Sequence, residues 1–152
     1  MRGVFRGNRM HWPACLGALV AHFLVAAAWA SEPVLVVNLV GVRSAAGTLR
    51  IGVYAEGASY GKESRTVAGQ LVAARQGTVQ VVFADLPPGR YAVMAYHDED
   101  ANGELNRRFG MFPSEGYGLS NNPRVIGRPA FADSAFDLVA GQPLALRIDV
   151  RY

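Results

Sequence analysis

The sequence predicts an all-β fold, an antiparallel β-sandwich of about seven strands carrying one long irregular loop. Three observations lead there. Apolar and polar residues alternate strictly in three separate runs, which is the period-two signature of strands with one packed and one wet face. Turn chemistry punctuates the chain at short intervals, and no long stretch carries a helical stripe. The longest break in the alternation, residues 98–128, is about thirty residues of mixed aromatic, amide and glycine character, well beyond the roughly 12–15 residues of an ordinary connection.

Taken in order, the first strand runs from Val34 to Val40, apolar on both faces and therefore central or covered. Leu49, Ile51, Val53 and Ala55 then oppose Thr48, Arg50, Gly52 and Tyr54. Residues 57–65 are polar and glycine-containing, which predicts a loop, and Leu71 to Arg75 adds an edge strand. Val79, Val81 and Phe83 oppose Thr78, Gln80 and Val82. Leu86-Pro87-Pro88-Gly89 makes a sharp connection, with proline fixing φ and Gly89 expected to supply an unusual backbone angle. Tyr91 to Tyr96 is a second strand apolar on both faces. Phe131 to Ser134 suits one helical turn, Ala135 to Val139 a short strand. Finally Leu144, Leu146, Ile148 and Val150 oppose Ala145, Arg147, Asp149 and Arg151.

The first thirty residues read as a signal peptide. Arg2, Arg6 and Arg9 make a basic start, Cys15 to Ala28 a short apolar core, and Ala28-Trp29-Ala30 a small-x-small cleavage site before Ser31. The apolar run is shorter than the roughly 20 residues that span a bilayer. The expectation is an exported protein, periplasmic or extracellular, with no stable membrane insertion after cleavage and a single sandwich domain over 31–152. Cys15 is the sole cysteine, so residues 31–152 hold neither disulfides nor thiolate metal sites. Three of the fifteen Lys and Arg residues lie in the leader and all twelve acidic residues lie beyond it, which leaves residues 31–152 formally neutral. A neutral domain has no basic field to attract nucleic acid or anionic lipid.

Function is expected in the long loop. Asp98, Asp100 and Asn102 stand at alternate positions, and Gly103 follows. That spacing lets a short loop curl its oxygens around a hard cation such as calcium, as in the first half of an EF-hand loop. The Glu104 carbonyl would come next, Asn106 would act directly or through water, and Phe109 stands where the closing bidentate glutamate belongs. Glu115 is the candidate to complete the cage after turns at Gly110 and Pro113. The competing reading is a tight turn that binds nothing, because Asp and Asn bond nearby backbone amides and Asn-Gly favours reversal.

His97 with the loop carboxylates offers an alternative, a metal-assisted hydrolase. No second histidine follows the leader and no Gly-x-Ser-x-Gly elbow occurs, so the usual catalytic partners are missing. Tyr117, Ser120, Asn121 and Arg124, with His97, form a candidate ligand-binding set for a protein, peptide or glycan partner, since rings stack and amides bond. The competing reading is local packing, in which Phe112 and Tyr117 pin the loop onto the sandwich while the glycines permit its turns.

The run Leu86-Pro87-Pro88-Gly89-Arg90-Tyr91-Ala92-Val93, followed by His97-Asp98-Glu99-Asp100 with Asn102-Gly103, then Pro113-Ser114-Glu115-Gly116-Tyr117-Gly118 with Ser120-Asn121-Asn122, resembles domain-of-unknown-function family 2141. Pro129, Phe131 and Ala135-Phe136 extend the resemblance over the whole segment after the leader. It implies a small exported bacterial domain with no established activity. Members with a closing Asp in the acidic loop differ here, where Asn106 stands instead, which lowers the charge available to a cation. The Leu-Pro-Pro-Gly-x-Tyr turn is also similar to one in transthyretin-like sandwich domains, an architectural likeness within the broader immunoglobulin-like class.

Overall fold

The computed structural model describes residues 34–110 and 112–152, so the expected signal peptide at 1–30 lies outside the described residues. Of the ten strands among the described residues, eight form two principal sheets. The first sheet has three strands in the order β10–β1–β4, built from β1 (Leu35–Val42), β4 (Gly77–Phe83) and β10 (Leu144–Asp149). The second has the order β3–β2–β5–β8, from β2 (Thr48–Tyr54), β3 (Ala68–Ala73), β5 (Gly89–Asp98) and β8 (Tyr117–Leu119). β9 (Ala135–Leu138) pairs with the first half of β5 and β8 with the second half, so one long strand serves two short neighbours along one side. A small hairpin of β6 (Arg107–Arg108) and β7 (Phe112–Pro113) stands apart.

Alternation decides which side chains meet. Leu35, Val37 and Leu39 of β1 are fully buried, as are Leu49, Ile51 and Val53 of β2 and Val93 and Ala95 of β5, and all belong to one core between the sheets. The expected sandwich is therefore present. All pairings are antiparallel except β1 with β10, which runs parallel from Leu35↔Leu144 to Val40↔Asp149. Period-two patterning reports faces and is blind to direction, which is why the sequence reading expected antiparallel pairing throughout.

The two runs apolar on both faces are central for different reasons. β1 lies between β4 and β10. β5 has its inner face in the main core and its outer face under a second cluster of Tyr54, Tyr60, Ala92 and Leu119, joined by Met94, Tyr117, Val125 and Phe131. Tyr60 meets Tyr54 and Phe131 edge-on, at centroid separations of 5.3 and 5.9 Å. Phe131–Ser134 is the expected single helical turn, labelled α1.

Two details differ from expectation. In the connection before β5, the positive backbone angle falls on Asp85 (φ 62°) and not on Gly89. At Gly89 the Tyr91 ring folds close over the backbone: a Cβ there would lie 3.3 Å from the ring, whose hydroxyl donates to the Pro87 carbonyl at 2.8 Å. The long loop after Asp98 is also more ordered than its sequence suggests, since it contains β6, β7 and β8, and β8 joins the second sheet.

Leu39 is fully enclosed between the sheets, so Leu39→Ala is expected to cost about 2–5 kcal/mol of stability, the range for emptying a tightly packed site. Urea unfolding followed by circular dichroism checks this; a loss under about 1 kcal/mol would show that the two sheets are not closely packed there.

Candidate functional site

The acidic loop begins where β5 ends. Asp98 is 1 % exposed, and its two oxygens accept the backbone N–H groups of Asn102 (3.0 Å) and Gly103 (2.9 Å). Asp100 Oδ1 also accepts the Asn102 N–H at 3.2 Å, and Asn102 Oδ1 accepts the Glu104 N–H at 2.8 Å. Each side chain thus bonds the backbone a few residues on, the local habit that makes Asp and Asn turn formers. Ala101 (φ 58°) and Gly103 (φ 85°) take the positive angles that the tight coil requires.

Glu115 closes the loop from the far side of the β6–β7 hairpin. It is buried, and its carboxylate accepts the Glu99 N–H and the Asn106 N–H, each at 2.9 Å. Asp98, Asp100 and Glu115 each place one oxygen within 4.8 Å of the other two. Unit charges at that spacing repel by about 3.5 kcal/mol per pair at an effective dielectric constant of about 20. Backbone amides offset part of this cost, and Arg50 Nη1 lies 3.8 Å from Asp98 Oδ2. Two of the other candidate ligands, Asn102 and Asn106, bond Asp100 through their amide nitrogens. Asn106 donates its amide to Asp100 Oδ2 at 2.8 Å, Asn102 donates to Asp100 Oδ2 and Asn106 Oδ1 at 3.1 and 3.0 Å, and the Glu104 side chain is exposed. Phe109, at the twelfth position, stands out in solvent at the hairpin tip.

His97 precedes Asp98 on β5 and faces the opposite way. Its Nε2 lies 2.7 Å from the Ala46 carbonyl, which can only accept, so that nitrogen carries the proton. Nδ1 is then left to accept the Tyr152 hydroxyl, also at 2.7 Å. The imidazole is fully buried and joins the β1–β2 turn to the last residue of the chain. Close packing extends to Gly47 in that turn, where a Cβ would fall 1.9 Å from the Asp98 carbonyl oxygen. Arg43 stacks on the Tyr152 ring at 4.2 Å and bonds Glu99 through Nε at 2.9 Å and through Nη2; Ser44 adds a further bond at 3.1 Å.

The remaining candidates hold the chain to itself. Ser120 Oγ donates to the Ser134 carbonyl at 2.6 Å and accepts the Val93 N–H at 2.8 Å. Asn121 (φ 64°) donates to the Ala135 carbonyl at 2.9 Å. Tyr117 packs in the second cluster while its backbone pairs with Arg151, and Arg124 is exposed. The structure brings Asp98, Asp100 and Glu115 together; it does not bring His97, Tyr117, Ser120, Asn121 and Arg124 to a shared opening.

A feature that sequence reasoning missed is a groove of about 520 Å³ on the outer face of the second sheet. Its floor includes Gly52, Met94 and Tyr96, and the acidic loop contributes Gly103, Glu104 and Leu105 as one wall. Arg50 lies in it, bound to Glu63 Oε1 at 2.9 Å through Nε and 2.7 Å through Nη2. The Tyr96 hydroxyl sits 2.9 Å from Glu63 Oε2 and 3.1 Å from the Gly103 carbonyl, and burial together with that carboxylate pushes its pKa well above the usual phenol range. Nothing in the local sequence signals this network, because only the β2–β5 register, with Arg50 opposite Tyr96, assembles it.

Residues 37–145 match the family model of domain-of-unknown-function family 2141, described as an uncharacterised protein conserved in bacteria. No curated protein and no solved structure matches the chain.

The bonds from Arg43 and Ser44 hold the Glu99 carboxyl below the usual carboxylate range. A pKa depressed by folding contributes stability that is present above the unfolded value and disappears as pH falls through the folded one. Glu99→Gln is therefore expected to shrink the stability difference between neutral and acidic pH, as read from thermal melts across that range. An unchanged acid limb would remove Glu99 as a contributor.

Proposed function

The chain belongs to domain-of-unknown-function family 2141, and because membership carries no activity with it, we propose from the geometry that it is an exported, non-enzymatic binding module whose acidic loop is stiffened by a calcium ion. The observation that carries this reading is the convergence of Asp98, Asp100 and Glu115 within 4.8 Å, two of them buried. Oxygens bound to one calcium at about 2.3–2.6 Å lie at most about 5 Å apart, so the three carboxylates fit one ion without large movement. A divalent cation would also relieve the mutual repulsion of the cluster, which backbone amides offset only in part.

Stiffening matters because the same loop walls the groove. With the ion in place Asp98 would answer to it more than to Arg50, the residue that ties the loop to Glu63. A module of this kind holds a protein, peptide or glycan partner against a wall whose shape the ion sets. Three carboxylates, with Asn106 in place of a closing aspartate and Phe109 at the twelfth position, suit the weak affinities of extracellular modules, on the order of 10⁻⁴–10⁻³ M. The hydrolase alternative has less support. Both ring nitrogens of His97 are taken by Ala46 and Tyr152, and the carboxylate that comes within 4.0 Å of Nδ1, Glu99, is itself bound by Arg43.

Calorimetry in chelator, calcium and magnesium tests the reading. Calcium at tenfold excess over Kd is expected to add about 1.4 kcal/mol, hence several degrees in Tm, with magnesium giving less because it demands a tighter octahedron. Asp100→Asn, at the exposed member of the cluster, should fold and lose the calcium response. Identical melts in chelator and calcium would leave the loop as a self-bonded turn.

A further inference from the structure

The fold covers most of its aromatic surface but leaves one element bare. Of the phenylalanines among the described residues, Phe83 is buried and Phe131 and Phe136 are half-buried, whereas Phe109 is 90 % and Phe112 64 % exposed. Both exposed rings belong to the β6–β7 hairpin. Arg107 and Arg108 form its first strand, paired with Pro113 and Phe112, and both are exposed. Among the described residues neither arginine has an ion-pair or side-chain hydrogen-bond partner. The hairpin is nonetheless firmly rooted: Ser114 N–H donates to the Asn106 carbonyl at 2.9 Å, and the buried Glu115 grips Asn106 and Glu99. Its tip holds Phe109 at φ 53°, an angle uncommon for a bulky side chain, beside Gly110 at φ 69°.

We propose that this hairpin is a membrane-docking finger, with Phe109 and Phe112 entering the interfacial region of an anionic phospholipid bilayer while Arg107 and Arg108 bind lipid phosphates. Aromatic rings favour the headgroup boundary, and guanidinium groups pair with phosphate oxygens through two parallel hydrogen bonds. Juxtaposed cations near an anionic surface add attraction that salt screens over about 10 Å at 0.1 M. A bilayer fits better than a protein partner because the finger is small, two residues to each strand, with Arg107 at its base also edging the groove. A stable protein interface needs roughly 800 Å² from each side, whereas a bilayer accepts a small wedge. Residues 31–152 are formally neutral, so the local pair of arginines, not a global field, carries the attraction. The docking is peripheral and reversible, and it stands apart from the calcium reading.

The test is co-sedimentation of the protein with sucrose-loaded vesicles, in chelator so that calcium cannot bridge carboxylates to phosphates. Binding is expected to vesicles of phosphatidylcholine mixed with phosphatidylglycerol, and to fall at least tenfold on pure phosphatidylcholine. Phe109→Ser with Phe112→Ser should weaken it at least tenfold, and Arg107→Gln with Arg108→Gln should weaken it and flatten its salt dependence. All four positions are exposed, and unchanged melting temperatures confirm that the variants fold. Vesicle binding that survives the double serine variant would overturn the proposal. So would retention on polyglutamate beads without vesicle binding, which would assign the finger to an acidic protein partner.

Discussion

The pleat of β5 at His97 and Asp98 is the constraint on which the rest of the molecule depends. Consecutive side chains on a strand leave on opposite faces, so two neighbouring polar residues serve two separate structures. His97 goes inward at the end of the core, where its two nitrogens hold the β1–β2 turn and the final residue together. Asp98 goes outward and becomes the seed of the acidic loop by gathering two amides of the next turn. A slip of one residue between β2 and β5 would exchange them, burying a carboxylate in the core and exposing the imidazole. The apolar set Leu49, Ile51, Val53, Val93 and Ala95 prevents that slip, because the same shift would turn every one of them to the wrong face.

The loop that follows is held by two kinds of force in competition. Backbone amides draw the carboxylates of Asp98, Asp100 and Glu115 inward; their mutual charge pushes them apart. Glu115 arrives from sixteen residues beyond Glu99, whose amide it caps, so the cluster forms only after the hairpin has folded back. The hairpin and the cluster are therefore one unit.

The outer face of the second sheet divides along the same lines. Toward the start of β5, Tyr54, Tyr60 and Phe131 seal it with edge-to-face rings. Toward the end, the Arg50–Glu63–Tyr96 network leaves a groove open between polar walls. One half of the face is spent on stability, and the other is left accessible.

Much of this was legible from residues alone. Alternation from Leu49 to Val53 and from Leu144 to Ile148 determines strands and their buried faces, since exposed apolar side chains cost free energy at every second position. The spacing Asp98-x-Asp100-x-Asn102-Gly103 determines a coiled acidic turn, and Glu115 could be named as its closing carboxylate because Gly110 and Pro113 must turn the chain back. Only tertiary structure decided the parallel direction of β10, the attachment of β8 to β5, the pairing of His97 with Ala46 and Tyr152, and the meeting of Arg50, Glu63 and Tyr96. The reason is physical: side-chain period encodes which face a residue takes, while direction, neighbour and register arise from distant segments closing over a common core.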